Sequence, residues 1–149
     1  MTATRSPWLN TDLDDFRDMA RTFCEKELAP HQNRWMGQKQ VDRDLWNKAG
    51  EVGLLCLSIP EEYGGGGGNF AHEAVLIEEQ AASGDSCWGV ALHNAIVAHY
   101  VLAYGTEEQK APWLPRLASG EWVGAIAMTE PGTGSDLQGI TTNAHQDGN

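Results

Sequence analysis

Basic side chains are scarce in this sequence: ten Lys and Arg stand against 21 Asp and Glu in 149 residues, a net charge of −11 with His neutral. The acidic excess is spread along the chain. No basic stripe exists to displace counterions from a phosphate backbone, which excludes nucleic acid as a partner. Long hydrophobic runs are missing as well, and the short apolar stretches are broken by charges, so no membrane span is expected. Cysteine is limited to Cys24, Cys56 and Cys87, an odd, widely spaced set that fits free thiols in a reducing compartment better than a disulfide frame. The opening MTATRSPWLN has one basic residue and no apolar core, so it reads neither as a secretory signal nor as an Arg-rich transit peptide. The expected compartment is the cytoplasm. The five histidines show no metal-ligand spacing, and no metal is expected. What is present, 41% apolar residues, suffices for one hydrophobic core and part of a second domain.

The periodicity is helical for most of the length. Leu13, Phe16, Met19, Ala20, Phe23, Cys24 and Leu28 recur at helical spacing behind acidic residues that suit a helix start. Pro30 interrupts that pattern without necessarily ending it. VDRDLWNKAGEVGLL predicts a second helix, capped by Asp42 or Asp44, with Leu45, Trp46, Ala49 and Val52 on its inner face. The five glycines of SIPEEYGGGGGNF cost too much backbone entropy to sit inside an element and read as a flexible surface loop. A third helix is expected over 70–82 with Ala74, Leu76, Ile77 and Ala81 inward. GDSCWGVALHNAIVAHYVLAYG is nearly uncharged and predicts a helix buried over most of its surface. Thr106 with Gln109 three residues on forms a capping-box pattern for the next helix, and Gly120 ends it. Beyond it EWVGAIAM has the branched and apolar character of a strand, and a second strand and the start of a hairpin at Asp147 and Gly148 are expected. The chain therefore divides into a helical domain, 1–120, and the beginning of a β-domain, 121–149. A sheet begun with two strands and an open edge is unfinished, so the sequence is expected to be the front part of a longer polypeptide.

The segment with the most chemistry is MTEPGTGSD. Pro131 and Gly132 make a turn pair, and Gly134 allows close ligand approach. The hydroxyls of Thr129, Thr133 and Ser135 and the nearby amides offer hydrogen-bond donors suited to a ring edge and a phosphate. On composition alone a capped turn is the commoner outcome for such a loop. The glycine run at 64–68 is no phosphate loop, because no GxxxxGK[ST] pattern accompanies it. Glu78 and Glu79 read as a solvent face and the histidines as helix residues with satisfied nitrogens. The small residues Gly89, Ala91, Ala95 and Ala98 leave room beside a helix for a long apolar ligand.

AMTEPGTGSDLQGI resembles the flavin-binding signature of the acyl-CoA dehydrogenases. GLLCLSIPEEYGG, EEQA, YGTEEQK and LPRLASGE follow in that family's order and spacing, most like its long-chain and bacterial fatty-acid members. The resemblance implies a mostly α fold: the family's N-terminal helical bundle followed by the start of its middle β-domain. It further implies FAD as cofactor, with Ile126, Ala127, Met128, Thr129, Gly134 and Ser135 as cofactor-binding residues. Ser135, Ala95 and Ala98 are implied to contact the acyl-CoA substrate. Many relatives carry an aromatic residue where this chain has Ile126. The implied reaction is oxidation of a fatty acyl-CoA to its trans-2-enoyl form in β-oxidation, with electron-transfer flavoprotein as the next electron carrier, in a homotetramer of a bacterial cytoplasm. The family's catalytic glutamate belongs to a C-terminal helical domain and has no counterpart among the 149 residues, so no catalytic residue is assigned, Glu130 included. The chain alone is expected to turn over nothing and to retain FAD poorly. Two alternatives share the scaffold: an acyl-CoA oxidase, and a non-catalytic acyl-CoA or partner-binding domain.

Overall fold

The computed structural model describes residues 6–148. The first five residues, on which the reading of the chain's start partly rests, and Asn149 lie outside them. Helix α1, Thr11–Phe23, starts where the Asn10 side chain accepts the Leu13 amide at 2.9 Å, a standard satisfaction of a helix's first free donors. Pro30 does not end the helical path. The chain widens into a π turn at Cys24–Leu28, tightens to a 3₁₀ turn at Ala29–His31 that takes up the proline, and resumes as α2, Gln32–Gln38. Helix α3 spans Arg43–Glu51 and α4 spans Phe70–Ala82. The long uncharged segment forms α5, Val90–Leu92, a π turn at His93–Val97, and α6, Ala98–Tyr104; α7 is Glu107–Ala118.

The main core gathers Ala20, Phe23, Leu28, Trp35, Leu45, Trp46, Leu54, Leu76 and Trp88 from helices α1 to α4, the π turn after α1 and the loops between them. A second cluster, with Cys56, Ile59, Ala98, Leu114 and Leu117, joins α6 to α7 and the 54–59 loop. Each large side chain buried in this way contributes on the order of 1.5–3 kcal/mol. Two contacts are made by main chain. A Cβ on Gly50 would lie 2.2 Å from the Ser119 carbonyl oxygen, and one on Gly120 would lie 2.1 Å from that of Trp46. Helix α3 therefore meets the end of α7 with no side chain between them.

Several expectations change. Val52 lies just past the end of α3 and is exposed rather than on its inner face. The inward face of α4 is set by Glu73, Val75, Leu76, Glu79 and Gln80, all buried, while Ala81 is exposed. The Glu79 carboxylate accepts from Arg17 at 2.7 Å and from Arg21 at 2.9 Å. Burial alone would raise its pKa, but those guanidinium bonds outweigh the burial and hold it below the ordinary glutamate value. The glycine run is not a loose connection. The amides of Gly65, Gly66, Gly67 and Gly68 donate to the carbonyls of Pro60, Cys56, Ile59 and Leu57, and a Cβ at Gly65 would meet the Ile59 oxygen at 2.2 Å. The 90–104 helix buries one side only, leaving Ile96, Tyr100 and Tyr104 exposed on the other.

The largest correction concerns the β-domain. Among the described residues there is no strand and no sheet; the single bridge joins Glu130 to Thr133 across a turn. The fold is a helical bundle followed by an irregular segment. The reason lies in the backbone donors of 122–124, which a strand would place in a ladder. Here the Trp122 amide donates to the Arg116 carbonyl at 2.9 Å and the Gly124 amide to the His93 ring at 2.9 Å. An extended segment whose donors go to the helices, with no neighbouring extended segment, is not a strand. Gly148 has the positive φ of a turn residue, 92°, but no strand returns from it among the described residues.

Candidate functional site

The segment after α7 is fastened at its root. Arg43 donates through Nη2 to the carbonyls of both Gly120 and Glu121. Arg116 lies 4.8 Å from the centre of the Trp122 ring, a cation–π arrangement. His93 accepts the Gly124 amide through Nδ1 and donates through Nε2 to the Leu117 carbonyl at 3.1 Å. From Gly124 the chain leads directly into the residues implicated by the sequence. A cavity of about 640 Å³ lies along this root, with Val97, Val101, Trp113 and Trp122 among its walls.

Ile126 is half-buried, and Ala127, Met128, Thr129, Gly134 and Ser135 are exposed. These residues are consecutive or nearly so, and the structure keeps them on one loop. That loop is closed at its base by two reciprocal bonds, Glu130 amide to Thr133 carbonyl and Thr133 amide to Glu130 carbonyl, each 3.0 Å. The Glu130 carboxylate is fully engaged. It accepts the Thr141 amide at 2.7 Å, the Thr142 amide at 3.0 Å and both threonine hydroxyls. The Thr142 hydroxyl first, then the Thr141 amide and the remaining donors, bring its pKa down to about 2. Glu130 thus ties the loop to residues eleven and twelve positions further on.

Two features of the loop bear on its fit to a flavin. A Cβ at Gly132 or Gly134 would meet nothing within 4 Å, and neither glycine has a positive φ. Among the described residues, then, neither packing nor backbone conformation calls for glycine at those positions, and their amide faces are open to a ligand. The hydroxyls of Thr129 and Ser135 likewise have no hydrogen-bond partner among the described residues. The donor set and the free space suit a ring edge and a phosphate.

The second element is the outer face of the 90–104 helix, where Ala95, Ile96, His99, Tyr100, Ala103 and Tyr104 line a shallow cavity of about 350 Å³. Ala95 belongs to it. Ala98 is fully buried on the opposite side, in the cluster with Leu114 and Leu117, so the two alanines do not share a surface. Behind this face runs a buried polar network. The Ser58 hydroxyl stands 2.8 Å from His99 Nε2 and donates to Glu73 at 2.9 Å. Asn94 accepts the Cys56 amide and donates to the Leu54 carbonyl, both at 2.9 Å. Burial raises the Glu73 pKa against the lowering effect of its hydrogen bonds.

Several of these groups were not legible as partners in the sequence. His93 and Asn94 signalled themselves only as two adjacent polar residues in an uncharged helix, and nothing marked Arg43 as the residue that grips 120–121.

Comparison with known proteins gives this geometry a context. The family model "Acyl-CoA dehydrogenase, N-terminal domain" matches residues 10–121, and the chain belongs to the acyl-CoA dehydrogenase family. It is 46% identical over 139 residues to the long-chain specific acyl-CoA dehydrogenase, mitochondrial, of Sus scrofa, covering 93% of this chain and 32% of that protein. The chain thus spans about a third of the length of such relatives. A crystal structure of an acyl-CoA dehydrogenase from Geobacillus kaustophilus superposes with a TM-score of 0.89 at 47% identity, over 96% of this chain and 38% of that one. A glutaryl-CoA dehydrogenase from Mycobacterium smegmatis in complex with FADH2 superposes with a TM-score of 0.82 at 30% identity, over 94% and 36%. The expectation of a bacterial cytoplasm is overturned by these relatives: the Sus scrofa protein and its Mus musculus and Rattus norvegicus counterparts, 46%, 45% and 45% identical, are named as mitochondrial. Unpaired thiols report a reducing environment, and that property does not single out the cytoplasm.

Proposed function

We propose that this chain supplies one side of the active site of an FAD-dependent acyl-CoA dehydrogenase. The observation that carries the reading is the 126–135 loop, whose Thr129 and Ser135 hydroxyls and uncrowded glycines make no contact among the described residues. Thr129 and the backbone of 126–128 would hold the flavin ring edge, and Gly134 and Ser135 the pyrophosphate, with Ser135 also placed to contact the acyl-CoA. When bound, FAD supplies the oxidising power, accepting two electrons from the acyl thioester. The chain's own part is to hold and orient. Glu130 braces the loop against Thr141 and Thr142, and Arg43 and His93 fix its root on the helices.

The outer face of 90–104, with Ala95 and Ile96, forms a wall for the acyl chain. Relatives are named for long-chain and for glutaryl substrates, and the long-chain preference proposed here follows the Sus scrofa protein. Residues 6–120 form the helical domain and the segment from 121 opens a further domain, a division supported by the family match ending at residue 121. Three of the chain's carboxylates are already committed and unsuited to act as a base. Glu73 is sealed in the core, Glu79 is held by two arginines and Glu130 by four donors. The base is assigned to a partner domain, electron-transfer flavoprotein is the next carrier, and the active form is a homo-oligomer.

The test is the intact mass and flavin spectrum of the natively expressed protein, followed by turnover of a long-chain acyl-CoA with an artificial electron acceptor. Bound FAD with acyl-CoA-dependent bleaching supports the reading. A colourless protein longer than this chain by mass, binding acyl-CoA without oxidising it, refutes it.

A further inference from the structure

His93 is fully buried, with both ring nitrogens committed. Its Nε2 faces the Leu117 carbonyl at 3.1 Å, and its Nδ1 receives the Gly124 amide at 2.9 Å. A carbonyl can only accept and an amide N–H can only donate, so one ring form satisfies both partners: neutral imidazole with the proton on Nε2. The other neutral tautomer would set N–H against N–H at Gly124 and leave the Leu117 carbonyl facing a bare nitrogen. A second observation shows how closely the two parts approach. A Cβ at Gly124 would lie 2.7 Å from Val97 Cγ1 and 3.4 Å from His93 Nδ1, so the backbone reaches the ring because residue 124 has no side chain. The Trp46 ring, 5.1 Å from the imidazole centre, fixes its orientation from α3. The π turn at His93–Val97 lets His93 and its neighbour Asn94 both point inward, each with no exposed surface.

We propose that His93 is a positioning residue for the flavin-facing loop: its unprotonated Nδ1 sets where residues 124–126 leave the helical domain, and through them where Thr129 stands. The inference rests on the reading of 126–135 as a flavin loop. His93 touches neither cofactor nor substrate, and it acts through the Gly124 amide alone.

The two nitrogens can be separated by substitution. In His93→Asn the side-chain oxygen comes near the position of Nδ1 and keeps the Gly124 bond. In His93→Gln the longer amide reaches toward Leu117 and gives up Gly124. The experiment uses the natively expressed protein in its unmodified, Asn and Gln forms. It follows hydrogen exchange at Gly124 by mass spectrometry, flavin content per chain by absorbance, and helical content by circular dichroism. The expected result is exchange at Gly124 about tenfold faster in His93→Gln than in His93→Asn, as for loss of one buried hydrogen bond, with flavin content falling in Gln alone and helical content equal in both. Equal flavin content in the two variants, with Gly124 opened only in Gln, overturns the positioning role and leaves the proposed function standing. Absence of flavin from the unmodified protein withdraws the proposed function, and this role with it. If His93→Gln does not fold, selective ¹⁵N-histidine NMR of the unmodified protein decides: protonation on Nε2 is expected, and protonation on Nδ1 overturns the inference.

Discussion

Replacing Gly50 by Ala tests the main-chain contact between α3 and the end of α7. In an exposed helix this substitution is favourable by about 1 kcal/mol, since alanine gives up less backbone entropy on folding. At position 50 the new methyl would lie 2.2 Å from the Ser119 oxygen and 2.4 Å from its carbonyl carbon, well inside contact distance. No flexible side chain stands there to move aside, so α3 or the 118–120 turn must shift. Overpacking of this kind costs about 1–3 kcal/mol, occasionally more, and the backbone bonds that Arg43 makes to Gly120 and Glu121 would be strained by the same shift. With the alanine gain set against that cost, the net expectation is destabilisation of up to about 2 kcal/mol, a fall in Tm of up to roughly 8 °C for a domain of this size. Gly37 is the control: it lies in α2, its Cβ would meet nothing within 4 Å, and Gly37→Ala is expected to raise Tm slightly. Thermal melts of the two variants beside the parent make the measurement. A Gly50→Ala protein as stable as Gly37→Ala would refute the close approach of α3 to the 118–120 turn.

Glu79→Gln is expected to cost about 1–3 kcal/mol, because the arginines lose a buried, charge-assisted partner. The folded-state pKa of Glu79 is depressed, so its stabilising contribution is present above the unfolded value of about 4.5 and lost as pH falls through the lower folded value; urea midpoints of parent and variant should differ at neutral pH and converge at acid pH. His93 has its pKa lowered by burial from 6.5. The unfolded chain therefore takes up the proton first, and stability is complete above about pH 6.5 and declines as pH drops below it. His93→Asn should remove that part of the decline in a pH series of melts. Glu130→Gln is expected to speed hydrogen exchange at Thr141 and Thr142. With a pKa of about 2, Glu130 should produce no limb in a pH–rate profile between pH 5 and 9; a limb removed by Glu130→Gln would show that it acts as a base.

Where a pattern repeats along a helix, the sequence is informative. The spacing of Leu13, Ala20, Phe23 and Leu28 identifies the buried face of the first helix, and the 70–82 helix has the bounds its pattern suggests. The failures share a physical cause, since each depends on a partner distant in sequence. Glu79 looks like surface until Arg17 and Arg21, some sixty residues earlier, turn it inward. Five glycines look like slack until the carbonyls of 56–61 are seen to receive their amides. Trp122 and Val123 have the composition of a strand, but composition cannot supply the neighbouring strand. The candidate loop was legible because its chemistry is local. Its fastening to the helices through Arg43 and His93 was not, for the same reason that Glu79 was not.

The π turn at His93–Val97 also bears on how the chain tolerates changes in length. A π turn is an α-helix carrying one surplus residue, and its flanks, Val90 on one side and Ala98 on the other, both still face the interior. Removing a single residue from 93–97 restores ordinary helical pitch and leaves those flanks in register. The same deletion within α7 would turn everything beyond it by about 100° and carry Leu117 out of the core. A shortened 93–97 would no longer bury two adjacent polar side chains at one level. Length variation here would therefore spare the bundle and alter its grip on the segment that follows.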